Sequence, residues 1–570
     1  MSDKRYIFQA DFTAGQGTYG HVVSARSQSG NQYAVKCNFI DRSTSFSGSL
    51  KEADVLKKIN GHPYCVLTKD IINYCPFAPG TICVKNKGNE RVDKMYFIFE
   101  FMPKNLTEFI HSQMEDEIYY HLCRVYLAQI LLSLEHIHSK GIIHRDLKPD
   151  NILWSMDSGD QCGLVKICDF GLSRPMENQG NQTPKVVTCL YRAPEICAGD
   201  SEYTSKIDLW STGMIFYEML CKTPFLKSIR QDNDMTILDL LWKTFPSQQT
   251  SELMVRWRIR SLSLGPVVVG SKPQYPYHVV PMNGVNTMVP QVHSMNMMPH
   301  RPTPAMVAPQ DQHARELDDI KATISLPANS YARADSSFND ALSLLLGLLK
   351  LDHKKRFSAT DALNHPFFNS IRSFIEGTRA RYPIRTAPIG SKPLRIVCSR
   401  ARMRGCYMAL TLFIKRENKY WYRHRILFTS LYIFDCYLAA LHDRGITRSL
   451  ETISTAYLVS LYMSIKYHMT MTSPPKFEDI VALYQGVQVN MVEAEKIEDF
   501  ILSEVMDYQI YHETIYEVAD SKGRKLSDDR VSDLLEFYSS SLVERPDSSG
   551  CVQLTPAQMY ELFCKSHSVK

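Results

Sequence analysis

The chain has 570 residues, 15 of them cysteine, and a formal net charge of +5. Such a length exceeds what one hydrophobic core organises and predicts roughly three or four folded units, while a mild positive charge without a long Lys/Arg run gives no case for nucleic acid as the main ligand. An odd number of cysteines without CxxC or zinc-finger spacing favours a reducing, intracellular setting over a disulfide framework.

In chain order, the start MSDKRYIFQA is charged and lacks an apolar signal core, and no stretch approaches the ~18 apolar residues of a membrane span. Cytoplasm and/or nucleus is therefore the expected location, with no membrane partner. Residues 1–102 hold short apolar runs broken by turn residues (YIFQADF, HVVSARS, QYAVKCNFI, MYFIFEF). These predict a small antiparallel sheet interrupted by one helix from Ser49 to Ile59. Between the first two runs, Gly15, Gly17, Gly20 and Val22 spell GxGxxGxV. A hairpin of that kind lets backbone approach phosphate oxygens, although alone the pattern is equally a Gly-rich turn. Lys36 of AVK follows as a strand lysine able to hold phosphates, and Glu52 on the predicted helix is its candidate ion-pair partner.

Longer helical periods dominate residues 103–370, as in YYHLCRVYLAQILLSLEHIHSKG and KIDLWSTGMIFYEMLC. Within them stand HRDLKPDN, His144 to Asn151, and DFG, Asp169 to Gly171. In this pair Asp146 supplies a base for a substrate hydroxyl and Lys148 steadies charge on the transferring phosphate. Asn151 and Asp169 supply ligands for two Mg2+ ions. A lysine two places after the aspartate is the Ser/Thr form of the loop. Glu195 of APE is expected to pair with Arg356, and Asp208 of DLWS to support the catalytic loop. The ordered set identifies a protein kinase that uses ATP and Mg2+, and the intact Lys36, Asp146, Asn151 and Asp169 argue against a pseudokinase scaffold. From about 250 to 325, Pro, Met, Val, Gln and His without a steady period predict a flexible insertion. Residues 371–400 predict a linker.

Over residues 1 to about 370 the chain resembles the cyclin-dependent kinases. DFGLSR and VVTCLYRAPE match that family's activation-segment ends, FIFEFM its hinge, and FSGSLKE its cyclin-contacting helix. The resemblance implies that Phe99 is the gatekeeper and that the backbones of Glu100 and Met102 bind adenine. It also implies that Thr188 and Arg192 shape a pocket for proline after the phosphorylated residue, hence Ser-Pro or Thr-Pro substrates. Thr183 matches the activating phosphothreonine, clamped by Arg145, Arg174 and Lys51. The family has arginine at this last position, and a lysine there is a point charge without bidentate geometry. Thr18 and Tyr19 match inhibitory phosphorylation positions, or are ordinary loop-tip residues.

Beyond 400, RILFTSLYIFDCYLAAL, TISTAYLVSLYMSIKYHM and MVEAEKIEDFILSEVMDYQIY predict an all-α bundle over residues 401–511. The series MRGCY, FDCYL, SIKY, PP and MDYQI resembles a cyclin box, the partner that this kinase branch binds as a separate chain. That resemblance implies an Arg404–Asp435 pair. It also implies that Lys466, with Glu498 or Asp499, faces the kinase regulatory helix; otherwise these are surface charges on a generic bundle. Gly405 and Cys406 depart from the family's docking patch, and residues 512–570 are too short for a second cyclin fold. The expected architecture is an α+β two-lobed protein kinase fold followed by an all-α cyclin-like domain that acts as an intramolecular partner. The alternative is a cyclin-independent kinase whose helical domain binds something else. A large DNA virus or a protist would be a natural source of such a fusion, with the host cell as its setting if viral.

Overall fold

The computed structural model describes residues 6–17, 20–40, 45–72, 75–77, 93–156, 163–175, 189–200, 203–227, 234–248, 277–282, 285–290, 309–324, 326, 330–384, 394–397, 399–414, 423–468, 477–482, 484, 488–506, 514–516, 518, 528–540 and 551–566. The chain divides into two compact units, one of Met1–Met114, His121–Asn181 and Phe368–Lys570, the other of Glu115–Tyr120 and Gln182–Phe367.

The first unit opens on β1 (Phe8–Gly17), β2 (Gly20–Ser27) and β3 (Gln32–Ile40), followed by α1 (Ser45–Ile59), β4 (Thr68–Ile72) and β5 (Asp93–Glu100). The strands form one antiparallel sheet in the order β1-β2-β3-β5-β4. Period-2 alternation sends Val35 and Cys37 of β3 into a core with Phe8, Ala25, Ile72, Tyr96 and Ile98. Helix α1 begins four residues before the predicted start. Its Gly48 faces open space, so glycine there costs helix propensity without solving a packing problem. Next come β6 (Lys104–Asn105) and α2 (Leu106–Ile110), which Asn105 and Glu108 close with a capping box. After α3 (Asp116–Ser139), β7 (Ile142–Ile143), β8 (Ile152–Ser155), β9 (Leu164–Ile167) and β10 (Arg174–Pro175) bracket the candidate catalytic loop. Strands pair as β6-β8-β9 and as β7 with β10.

The second unit is mainly helical: α4 (Pro194–Cys197), α5 (Lys206–Cys221), α6 (Asp234–Thr244), α7 (Pro309–Thr323), α8 (Tyr331–Ala334), α9 (Phe338–Leu348) and α10 (Ala359–Leu363). Trp210, Phe216, Phe245 and Phe367 fill its core. Arg356 grips Glu195 with two bonds of 2.7 and 2.9 Å, both side chains being buried. Part of the expected flexible insertion is ordered. Strands β11 (Tyr277–Met282) and β12 (Val285–Pro290) pair with each other, and α7 is anchored by a Lys350–Glu316 ion pair and by Ser247 N–H donating to Asp319 at 2.9 Å. Long-range partners make a helix of a segment whose own period is weak.

The first unit resumes with α11 (Arg372–Arg381), β13 (Leu394–Val397), α12 (Arg400–Ile414), α13 (Arg423–Asp443), α14 (Leu450–His468), α15 (Phe477–Val481) and α16 (Met491–Phe500), the last continued by a π turn. α17 (Asp528–Ser540), β14 (Cys551–Leu554) and α18 (Pro556–Ser566) follow. Four expectations need correction. The linker is not structureless: Arg379 on α11 holds Glu135 of α3 at 2.6 and 2.9 Å, and Tyr382 meets His62 edge-on. Nor does the helical region stop at 511. β13 pairs with β14, so residues on both sides of the bundle close it together.

The third correction concerns the buried arginine. Arg402, not Arg404, binds Asp435, with its Nε 2.9 Å from Oδ1; Arg402 also donates to the Tyr538 carbonyl, and the Tyr538 hydroxyl donates to Asp435 at 2.7 Å. Arg404 instead donates to Ser454 at 3.1 Å. On α12 the buried residues Arg402, Gly405, Cys406 and Ala409 follow helical spacing, which turns position 404 away from them. Gly405 serves this packing, because a Cβ there would collide with the Phe434 ring. Among the described residues one helix, His424–Asp443, is long and apolar enough to cross a membrane by length and composition, contrary to the sequence expectation; two thirds of its apolar window is buried, as in the core helix of a bundle.

Candidate active site

Hairpin β1–β2 pairs Gly17 with Gly20 and Gly15 with Val22, and Val22 in turn lies opposite Lys36 of β3. The glycine motif, Val22 and Lys36 thus occupy adjacent strands. Thr18 and Tyr19 lie outside the described residues. Lys36 Nζ meets Glu52 of α1 at 2.6 Å and Asp169 at 2.8 Å. Burial alone would lower the Lys36 pKa, but Glu52 and then Asp169 overcome it and raise it. Asp169 is held below the usual carboxylate range by Lys36, against the opposing effect of burial. Its side chain is 50% exposed, so the carboxylate remains open to an incoming cation. Asp169 takes a left-handed conformation, φ 59°, and a Cβ on the following Gly171 would stand 3.4–3.6 Å from Asp169, Glu52 and Lys36.

In the catalytic loop, Asn151 Nδ2 donates to the Asp146 carbonyl at 2.7 Å and to its Oδ2 at 3.0 Å. Lys148 Nζ stands 3.2 Å from the same Oδ2. The loop is fixed from behind by His144, whose Nε2 pairs with the Cys168 carbonyl at 2.9 Å. With its amide nitrogen committed, Asn151 presents an oxygen as its remaining ligand atom. Together with Asp169 that makes two oxygen donors, the chemistry a hard cation such as Mg2+ takes when phosphates and water complete its shell. Among the described residues no cluster of three or more His, Cys, Asp or Glu forms a self-contained metal site. The arrangement suits a cation that arrives with a nucleotide.

Phe99 is buried at the end of β5, and the Glu100 carboxylate accepts from Lys166 at 2.6 Å and from the Leu67 N–H at 2.8 Å, fixing the start of the hinge that leads to Met102. Arg145 is buried with φ 75°, and Arg174 lies on β10 opposite Ile143. Arg192 is paired with Asp234 on α6. Thr183 and Thr188 lie outside the described residues.

Lys51, expected as the third clamp residue, is buried, with the charge of Arg174 near it. It is 7% exposed on α1 and sits 5.9 Å above the ring of Tyr467 on α14. Burial, with Arg174 nearby, lowers its pKa to about 7. The same tyrosine donates its hydroxyl to Asp54 Oδ2 at 3.2 Å, and Lys58 pairs with that oxygen at 2.8 Å. Burial raises the Asp54 pKa despite Lys58 and Tyr467. Lys466 takes Glu498 as its partner, at 2.9 Å, while Asp499 is exposed. Asp54 and Tyr467 were missed by sequence reasoning. Asp54 lies two residues beyond Glu52, about 200° around the helix, and that spacing could have marked it as the residue facing away from the sheet.

The protein kinase domain model matches residues 8–368. This chain belongs to the protein kinase family. It is 38% identical over 213 residues to mitogen-activated protein kinase 1 of Oryza sativa subsp. japonica, covering 37% of this chain and 48% of that relative. It is 28% identical over 375 residues to mitogen-activated protein kinase 6 of Arabidopsis thaliana, covering 65% and 74% of the two chains. With serine/threonine-protein kinase SSN3 of Coccidioides immitis (strain RS) the identity is 29% over 396 residues, covering 65% and 73%. The chain thus spans about half the length of the rice relative and about three quarters of the other two. The matched protein kinase domain ends before the C-terminal helices begin.

Proposed function

We propose that this kinase phosphorylates Ser-Pro and Thr-Pro sites and is held active by its own C-terminal helices, which take the part of a cyclin. Asp146 accepts the substrate hydroxyl's proton, and Lys148 and Lys36 place positive charge where the transferring phosphate carries negative charge. Asn151 and Asp169 would hold Mg2+ arriving with ATP, and the ion would neutralise charge on the phosphate oxygens. Glu52 keeps Lys36 in place, so the position of α1 controls the site.

One observation carries the regulatory part: α14 packs on α1 through Tyr467 and Asp54 while Glu52, on the same helix, pairs with Lys36 at 2.6 Å. A helix weakened by Gly48 is thereby supported from the side away from the sheet. Similarity to mitogen-activated protein kinases, and the match of Arg192 to the arginine that shapes the proline pocket in the family this chain resembles, support the substrate class.

The test compares the full chain with a chain ending at residue 384, which keeps α11 and its ion pair to Glu135. Activity on a Ser-Pro peptide should fall at least about tenfold on truncation, as expected when a supporting contact of ~1.4 kcal/mol or more is lost. Residues 394–570 added separately should restore part of it. Full activity in the shortened chain would favour a cyclin-independent kinase. Equal turnover of Ser-Pro and Ser-Ala peptides would remove the proline-directed part alone.

A further inference from the structure

Glu52 is a carboxylate with almost no solvent exposure, and Lys36 reaches only one of its oxygens, Oε1 at 2.6 Å. A buried carboxylate leaves an expensive acceptor behind if its second oxygen has no donor. Here the donor is the side-chain amide of Asn38, whose Nδ2 lies 3.1 Å from Glu52 Oε2 and 3.2 Å from Ser49 Oγ. Lys36 and Asn38 are two apart on β3 and therefore share the face opposite the apolar core made by Val35 and Cys37. Ser49 and Glu52 are three apart on α1 and share a face of the helix. The amide is thus set between strand and helix, two residues from the lysine.

The orientation is determined by chemistry. Turning the amide over would put its oxygen against the Glu52 carboxylate, and as placed the Asn38 Oδ1 is buried without a partner. An apolar side chain of the same size would fill this site and remove that unpartnered oxygen. What an apolar side chain cannot do is donate to Glu52.

We propose that Asn38 is a positioning residue for phosphoryl transfer: it binds the second oxygen of Glu52 and so locks α1 onto β3 in the register where Lys36 is paired. This rests on the reading of Lys36 and Glu52 as the phosphate-anchoring pair. The latch lies on the sheet side of α1, acts whether or not the helical domain is engaged, and adds a neutral donor where a second cation would compete with Lys36.

The test uses the full chain with Asn38→Leu, Asn38→Asp and Glu52→Gln, measuring melting temperature and kcat and KM for ATP and peptide separately. Asn38→Leu removes the unpartnered Asn38 Oδ1 but leaves Glu52 Oε2 without its donor, so melting should fall modestly, and kcat/KM for ATP should fall about tenfold with the peptide KM unchanged. Asn38→Asp, nearly equal in size, should lose more, because it faces Glu52 with a like charge. A purely structural residue would lower melting and leave that split absent. Wild-type kcat/KM for ATP in folded Asn38→Leu, with Glu52→Gln impaired, overturns the proposal. Should Asn38→Leu fail to fold, wild-type activity in Asn38→Asp overturns it equally. Wild-type activity in Glu52→Gln retires the anchoring pair and the latch together.

Discussion

The two faces of α1 solve the same problem, holding one helix in place, with opposite electrostatics. Toward the sheet, Glu52, Lys36 and Asp169 form a charged cluster with Asp169 half open to solvent. Toward α14, Asp54 and Lys51 are almost completely buried; Asp54 is paired within α1 by Lys58, and what α14 offers them is an aromatic ring with one hydroxyl. An open cluster can exchange its partners for a nucleotide and its cation. A dry contact cannot, and its strength depends on how its own groups titrate. On the proposed function, reaction and support are separated across the width of a helix.

The sharpest break on the sheet side is Lys36→Met, which should lower kcat/KM by about 10²- to 10³-fold, the range for loss of one preorganised charge-stabilising group. Because the buried Glu52 keeps only Asn38 as a partner, melting should fall as well, so turnover is compared at a temperature where the variant is folded. A variant with near wild-type turnover would show that the charged face is only structural.

On the other side, Gly405→Ala drives a methyl into Phe434 and should destabilise the bundle by about 1–3 kcal/mol, the usual cost of overpacking. Thermal unfolding reports the loss. Activity should follow it as temperature rises, and activity indifferent to bundle unfolding would sever the two faces.

The titration of Lys51 sharpens the contrast further. Its pKa falls from 10.5 to about 7 when buried beside Arg174. Between those values the unfolded chain holds a proton that the folded chain has released, so stability rises with pH. Below about pH 7 both states are protonated and the penalty for burying the charge is fully present. Lys51→Met should therefore be more stable than wild type near pH 6.5, by a margin that shrinks by up to about 1.4 kcal/mol per pH unit toward pH 9. Parallel melting curves across that range would place Lys51 in solvent. The smallest effect is expected for Tyr467→Phe, which removes one hydroxyl from Asp54 and should cost about 1 kcal/mol, several-fold in the population of engaged α1. Hydrogen exchange in α1 measures it, and unchanged protection would leave ring packing as the whole of that contact.

Much of the kinase site was legible because its chemistry demands particular groups at short range in the chain. Asp146, Lys148 and Asn151 share one loop, and the glycines share one hairpin, so local sequence carries their geometry. The helical domain was read less well. Arg404 was expected opposite Asp435, but a shift of two residues turns a helical side chain about 200°, and only packing against Phe434 and Tyr538 decides that Arg402 faces inward. The linker was misread for a related reason: α11 is exposed over much of its surface, and what holds it is Glu135, more than two hundred residues earlier.

The sequence by itself determined the reaction machinery, since phosphate chemistry restricts which residues can stand in HRDLKPDN, DFG and the glycine turn, and it determined that helices follow residue 400, since apolar period sets them locally. Only the tertiary structure decided that Tyr467 meets Asp54, that Lys51 is buried beside Arg174, and that Asn38 occupies the second oxygen of Glu52. Each of these joins residues on different elements. Which donor reaches which buried acceptor depends on the angle at which strand and helix pack, and that angle is set by the whole core.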